Sequence, residues 1–429
     1  LMDYIKELLI EDKEFHKLLY YYLIDSYKLS GNEICLLLFD QGVLEYKEED
    51  VTKLKNGSLS SYTFITNKIK NLEIKPSPLG LEPFSASVIV TDVKTGKILS
   101  LVSYPSYDNN HFADYLGNNL TSPLYLRAVR EALAPGSTFK VASAIAGLEE
   151  NVITPYEKIK DEYLFTKTTP PARCHTNNHG HVNVTEALEV SCNYFFYELG
   201  YRLGSGKNGF SDALGLEKIE KYANLLGLGS TDTNLESELS TSATTGISTD
   251  SAVRSAIGQG NHLITPAQLS TYVTAVANRG KRYDLTVIDK FYDGNSYVEN
   301  QAEYEQIDEI SDRTWDLVQE GMYLVGNGKK SSISHLFKDL AEAGVPIAGK
   351  TGTAQISKYH ANHALFVSYG PYENPEISVT VVIPNAYTSG NAAELGRDIY
   401  SYYFKTEDEA TLLDGKAKLP KANTSALAD

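Results

Sequence analysis

A serine followed three residues later by a lysine can form an acyl-transfer pair when something removes the hydroxyl proton. In this chain only Ser137 has a lysine, Lys140, at that spacing. The setting is Ala134-Pro135-Gly136-Ser137-Thr138-Phe139-Lys140, in which Pro-Gly ends whatever precedes it. Thr138 through Leu148 then reads as a buried, Ala-rich helix. Ser137 therefore sits at a helix N-terminus, where unpaired N–H groups and the helix dipole favour developing negative charge. Lys140 is one turn on, so its amine can fold back towards the hydroxyl. It serves as a base only if burial or neighbouring cations lower its pKa. The alternative at this motif is a helix that begins with a serine and carries a surface lysine.

Two further motifs narrow the reading. Ser191-Cys192-Asn193 lies between helix-like Val184–Val190 and Tyr194–Leu203, and Lys350-Thr351-Gly352-Thr353 lies in an extended stretch. Similar short strings occur at Ser30-Gly31-Asn32, Ser389-Gly390-Asn391 and Lys94-Thr95-Gly96. The first two break the order S-x-x-K, S-x-N, K-T-G. The third reads as a hairpin turn between strand-like Val88–Val93 and Ile98–Val102. The ordered set at 137, 191 and 350 resembles the signature of penicillin-recognising serine acyltransferases.

The resemblance extends over roughly residues 81–405 and is to class B penicillin-binding proteins. It is carried by Ala86–Pro105 with Ser106-Tyr107-Asp108, by Ser191–Gly200, and by Ile257-Gly258-Gln259-Gly260 with Ile264-Thr265-Pro266-Ala267-Gln268-Leu269. It implies a D-Ala-D-Ala transpeptidase acting on peptidoglycan stem peptides and acylated by β-lactams. Residue by residue, Ser137 is the implied nucleophile and Lys140 its base. Ser191 relays a proton with support from Lys350. Asn193 holds both the substrate amide and Lys140. The N–H groups of Ser137 and Thr353 form an oxyanion hole. Lys350, Thr351, Gly352 and Thr353 form the strand that recognises the terminal carboxylate. A cell-wall glycosyltransferase is the implied partner.

Length and composition fit this outline. At 429 residues two domains are expected. The net charge of −16 and the lack of a Lys/Arg cluster argue against nucleic acid as a partner. No apolar run approaches the 18 or so residues that span a bilayer. Class B enzymes carry an N-terminal membrane anchor and a pedestal. The resemblance thus implies an extracytoplasmic, membrane-attached enzyme whose anchor lies outside this chain. Residues 1–80, with apolar spacing at Ile5, Leu8, Leu9, Leu18, Leu19 and Leu23, read as a helical pedestal and linker remnant. Residues 81–405 read as the transpeptidase domain. Ile347–Gln355, Ala364–Tyr369 and Ile377–Ile383 are expected strands and Ala393–Phe404 a closing helix. The fold class is α/β of the α+β type: a central antiparallel sheet with helices on both faces. Residues 406–429 read as a mobile tail.

One cluster departs from the family pattern. Cys174-His175-Thr176-Asn177-Asn178-His179-Gly180-His181 precedes Cys192, which follows the motif serine. If Gly180–Val184 is extended, His179 and His181 share a face. Cys174, His179, His181 and Cys192 then form a Cys2His2 tetrahedron suited to structural zinc, with His175 as a substitute ligand. A Cys174–Cys192 disulfide, or free thiols beside scattered histidines, are the competing readings. Cys35 reads as a small buried apolar residue. The rival functions are a serine β-lactamase, a β-lactam sensor or scaffold, and a D,D-carboxypeptidase.

Overall fold

A computed structural model describes residues 15, 22–23, 28–74, 85–116, 122–176, 179–355 and 360–413. The expected apolar positions Ile5, Leu8, Leu9, Leu18 and Leu19, and the tail beyond 413, lie outside these. The described residues divide into two compact units, one of those up to 74 together with Leu413 and one of residues 85–412.

Among its described residues the smaller unit contains the helices α1 (Gly31–Asp40), α2 (Glu48–Lys55) and α3 (Ser61–Lys70). Cys35, Phe39, Leu54 and Phe64 form its core, so Cys35 is the buried apolar residue expected. Ser30, in one of the stray S-x-N strings, caps α1 through a reciprocal bond with Glu33. Lys68 is almost wholly buried, and its amine is held by Asp50 at 2.8 Å and Glu73 at 2.7 Å. Two partners offset the desolvation that a lone buried ammonium would suffer.

The larger unit is built on five antiparallel strands. They are β1 (Ala86–Asp92), β2 (Ile98–Tyr104), β3 (Ala348–Ala354), β4 (His363–Gly370) and β5 (Ile377–Ile383), in the order β3-β4-β5-β1-β2. The runs Val88-Ile89-Val90 and Val379-Thr380-Val381-Val382 suit a sheet covered on both faces. The Lys94-Thr95-Gly96 string is the β1–β2 turn: Asp92 accepts from the amides of Lys94 and Thr95, each at 2.9 Å.

Helices cover the sheet and frame the cleft. Those that matter to the site are α4 (Lys140–Glu149), α5 (Val184–Glu189), α6 (Asn193–Leu203), α7 (Pro266–Ala277), α8 (Asp312–Asn327) and α9 (Ser389–Phe404). Helix α9 packs Ala392, Ala393 and Tyr400 against Val88, Phe366, Val379 and Val381 on one face. The other face meets α7, where Thr91 bonds Ser270 at 2.9 Å and Ser378 bonds Thr274 at 2.8 Å. Helices thus lie on both faces, as expected. Helix α9 begins earlier than Ala393, because Thr388 caps it by accepting from the Gly390 amide, and Ser389-Gly390-Asn391 forms its first turn.

Candidate active site

Pro135-Gly136 turns the chain into a short 3-10 segment, Gly136–Phe139, which runs directly into α4. Gly136 has φ +52°, and a Cβ there would lie 2.5 Å from the Thr353 carbonyl oxygen. Glycine therefore allows the Ser137 turn to rest on β3. Gly352 serves the same approach from the strand side, where a Cβ would stand 2.7 Å from the Pro135 oxygen. Beneath the turn, the Tyr272 hydroxyl of α7 donates to the Thr138 carbonyl at 2.9 Å. Ser137 is half-buried at this junction.

Lys140 is fully buried. Its amine donates to the Ser191 carbonyl at 2.6 Å, the Ser191 hydroxyl at 3.1 Å and Oδ1 of Asn193 at 2.6 Å. All three bonds run to the S-x-N segment, whereas local helix geometry alone suggested a fold back onto Ser137. Burial pushes the pKa of Lys140 down to about 8, against a smaller upward pull from the Cys174 and Cys192 sulfurs. Lys350 reaches the same hydroxyl from β3: its Nζ lies 3.0 Å from Ser191 Oγ and 3.1 Å from the Thr351 carbonyl. Burial, then the charge on Lys140, hold Lys350 well below the usual lysine range. One hydroxyl thus sits between two buried amines whose protons are loosely held.

Ser191 occupies the left-handed region at φ +54°. A non-glycine residue there is strained and must be held by its surroundings. The Lys140 amine binds its carbonyl, and the next amide, Cys192 N–H, donates to Ala187 at 3.0 Å. The Cys192 sulfur caps α6 by accepting from the Phe195 amide at 3.5 Å.

Strand β3 is an edge strand, paired with β4 on one side only. Thr353 stands opposite Ala364, and its carbonyl accepts from the side-chain amide of Gln259 at 3.3 Å, away from β4. In an antiparallel pair the N–H and C=O of one residue point the same way. The Thr353 N–H therefore also faces the free edge, beside the Ser137 turn, where it is open to an incoming oxygen. Ser137, Lys140, Ser191, Asn193, Lys350, Gly352 and Thr353 are all brought together. Thr351 contributes its carbonyl to Lys350.

The cysteine–histidine cluster differs from its expected form. Cys174, His179 and Cys192 converge, but the fourth member is Asp161, with all four ligand atoms within 4.8 Å of one another. His179 Nδ1 lies 2.7 Å from Oδ2 of Asp161 and 3.5 Å from the Cys174 sulfur, and the Cys192 sulfur lies 3.5 Å from the same carboxylate oxygen. His181 is exposed and pairs with Lys160 in a two-residue ladder. The period-two argument fails because Gly180 has φ +68°, which breaks the extended run between the two histidines. His175 is exposed too, with its ring 4.9 Å from that of His179. Asp161 carried no local sequence signal. It is delivered by the same ladder, its amide donating to Gly180 at 2.8 Å. Burial raises the Asp161 pKa. Burial works to lower that of His179, but hydrogen bonds to Cys174 and Asp161 outweigh it. Cys174 and Cys192 are free thiols. Two sulfurs, an imidazole and a carboxylate around one point are a donor set that fits zinc.

Residues 86–401 match the penicillin binding protein transpeptidase domain. The peptidoglycan D,D-transpeptidase MrdA of Haemophilus influenzae is 30% identical over 75% of this chain and 53% of its own length. Among solved structures, penicillin-binding protein A from M. tuberculosis as an imipenem acyl-enzyme is similar with TM-score 0.62 and 26% identity, covering 74% of this chain and 73% of that one. Pseudomonas aeruginosa PBP2 in complex with WCK 5153 follows with TM-score 0.61 and 26% identity, over 80% and 77%. The fold is that of the penicillin binding protein transpeptidase domain. The chain belongs to the penicillin-binding protein transpeptidase family. It spans about half the length of the curated relatives it matches.

Proposed function

We propose that this chain carries the cross-linking activity of a peptidoglycan D,D-transpeptidase of the class B type. The observation that carries the reading is the Ser191 hydroxyl held at 3.1 and 3.0 Å between the buried amines of Lys140 and Lys350. In the first half-reaction Ser137 Oγ bonds to the carbonyl carbon of the penultimate D-alanine, and its proton passes to the neutral Lys140 amine. Charge on the carbonyl oxygen develops against the N–H groups of Ser137 and Thr353. The C–N bond to the last D-alanine breaks, and the departing nitrogen takes a proton through the Ser191 hydroxyl. In the second half-reaction an amine of another stem peptide displaces Ser137 from the ester, and the serine regains its proton. A β-lactam follows the first half-reaction and stays on Ser137. The reaction belongs at the extracytoplasmic face of the cell membrane, and its substrate strands require a glycosyltransferase partner. The similarity to proteins named peptidoglycan D,D-transpeptidase supports this substrate class.

The test is reaction with a stem pentapeptide and an acceptor amine, following both D-alanine release and the cross-linked product. Cross-linked product is the expected result. Release to water alone would mean a D,D-carboxypeptidase. Acylation by penicillin without D-alanine release would mean a sensor, and rapid penicillin turnover a β-lactamase.

We also propose that Asp161, Cys174, His179 and Cys192 hold a structural zinc ion. When bound, zinc supplies four directional bonds that tie the 159–182 segment to Cys192, next to the strained Ser191. The donor set and its convergence support this. Native mass spectrometry with one zinc per chain, and a lower Tm after chelation, are expected. An intact mass short of two hydrogens, with no metal, would instead establish a Cys174–Cys192 disulfide.

A further inference from the structure

Beside Ser137 and Thr353 lies a loop, residues 258–262, that hydrogen-bonds the segments carrying both. The Gly258 carbonyl accepts from the Gly136 amide at 3.0 Å, one residue before the nucleophile. The approach is close: Gly258 has φ +73°, and a Cβ there would lie 2.0 Å from the Gly136 oxygen. The next residue, Gln259, sends its side-chain amide to the Thr353 carbonyl at 3.3 Å. Its own backbone amide is anchored to the Arg254 carbonyl at 3.1 Å. The loop is stiffened from behind by His262. The Ser248 amide donates to its Nδ1 at 3.1 Å, and its ring packs at a tilt of 47° against Phe139 with centroids 4.6 Å apart.

We infer that Gln259 is a positioning residue for the oxyanion hole, bridging the nucleophile turn to the edge of β3 through its side-chain amide. The two N–H donors of the hole come from separate segments, Ser137 from the turn and Thr353 from β3. Their spacing is what an oxyanion reads, and it is set by whatever spans the two. The Gly136 amide donates to Gly258 and not to Thr353. Residues 258–259 supply hydrogen bonds to both sides. The Thr353 carbonyl has two lone pairs, so it can keep the Gln259 amide while a substrate N–H adds along the free edge. Loss of the amide leaves the edge of β3 free to shift relative to Ser137. Sub-ångström misplacement of that kind slows the chemical step rather than weakening initial binding.

This inference rests on the acyltransferase reading. The test is the acylation of Ser137 by a chromogenic penicillin, in the wild type and in Gln259→Ala, Gln259→Met and Gln259→Glu. Alanine and methionine both remove the donor, and methionine keeps the bulk. Both are expected to lower the saturating acylation rate roughly ten- to a hundredfold, with the half-saturating concentration little changed. Glutamate donates only when protonated. The rate of Gln259→Glu relative to the wild type should therefore climb as pH falls from about 8 to about 5. Lys140, Lys350, Arg254 and His262 are common to both proteins and cancel in that ratio. A purely space-filling role would leave Gln259→Met at wild-type speed and the ratio flat, and either result overturns the inference. If alanine and methionine fail to fold, the glutamate ratio decides. A wild type that penicillin never acylates at Ser137 would instead overturn the acyltransferase reading itself.

Discussion

The burial of Lys140 makes a quantitative prediction about pH. Its pKa is pushed from 10.5 down to about 8, and it accepts the Ser137 proton only as the neutral amine. With a pKa of about 8, roughly a tenth of the amine is neutral at about pH 7 and roughly nine tenths at about pH 9. Acylation should rise about tenfold across that interval and then level off. A lysine at its ordinary value would give about a hundredfold rise with no plateau. The assay is stopped-flow acylation with a penicillin whose side chain does not titrate in this range. The same burial has a stability side. The folded state holds its proton less tightly than the unfolded state, so the unfolded chain binds more protons between about pH 8 and about pH 10.4. Stability from this group therefore rises with pH through that window, and the full cost, about 3 kcal/mol, is present below it. Lys140→Met removes the titrating group. Its stability relative to the wild type should fall steadily over the same window. A hundredfold, unlevelled acylation profile together with a pH-independent stability difference would refute the assignment of Lys140 as a buried, neutral base.

Other outcomes follow from named contacts. Ser191→Ala removes the hydroxyl shared by two amines. For the one bond carried into the transition state this costs about 1.5–3 kcal/mol, a fall of roughly ten- to a hundred-and-fiftyfold in acylation rate, read with the same assay. Asp161→Ala should lower both zinc content and Tm, whereas His181→Ala should change neither, because His181 is exposed and outside the cluster. Gly136→Ala places a Cβ 2.5 Å from the Thr353 oxygen at a left-handed backbone position, and acylation should fall at least as far as in Ser191→Ala while circular dichroism shows the fold retained.

The grouping of Ser137, Lys140, Ser191, Asn193 and Lys350 was legible because each of its motifs is local. Pro135-Gly136 announces the turn, the Ala-rich run announces α4, and Lys350–Thr353 is a short extended stretch whose order in the chain excludes the stray copies. What the sequence left open depended on contacts between distant segments. The direction of the Lys140 amine is chosen by Ser191 and Asn193, and no helix-spacing argument contains them. The fourth member of the cysteine–histidine cluster depends on one backbone angle. Gly180 in the left-handed region turns His181 away, and a ladder between Ile159–Lys160 and His181–Val182 brings in Asp161 instead. The start of α9 was missed for a smaller reason: Ser389-Gly390-Asn391 has turn chemistry, and only the cap from Thr388 makes it helical. The contact between Gln259 and the Thr353 carbonyl has no local signal, since the two residues lie far apart along the chain.

The central claim is that Ser137 is the acylated nucleophile of a slowly deacylating site. The most direct measurement is intact-protein mass before and after a penicillin, with peptide mapping of the adduct and Ser137→Ala as the control. A single stable adduct on the Ser137 peptide, absent from the variant, is the predicted result. An adduct on another residue, or penicillin consumed with no adduct retained, would contradict it.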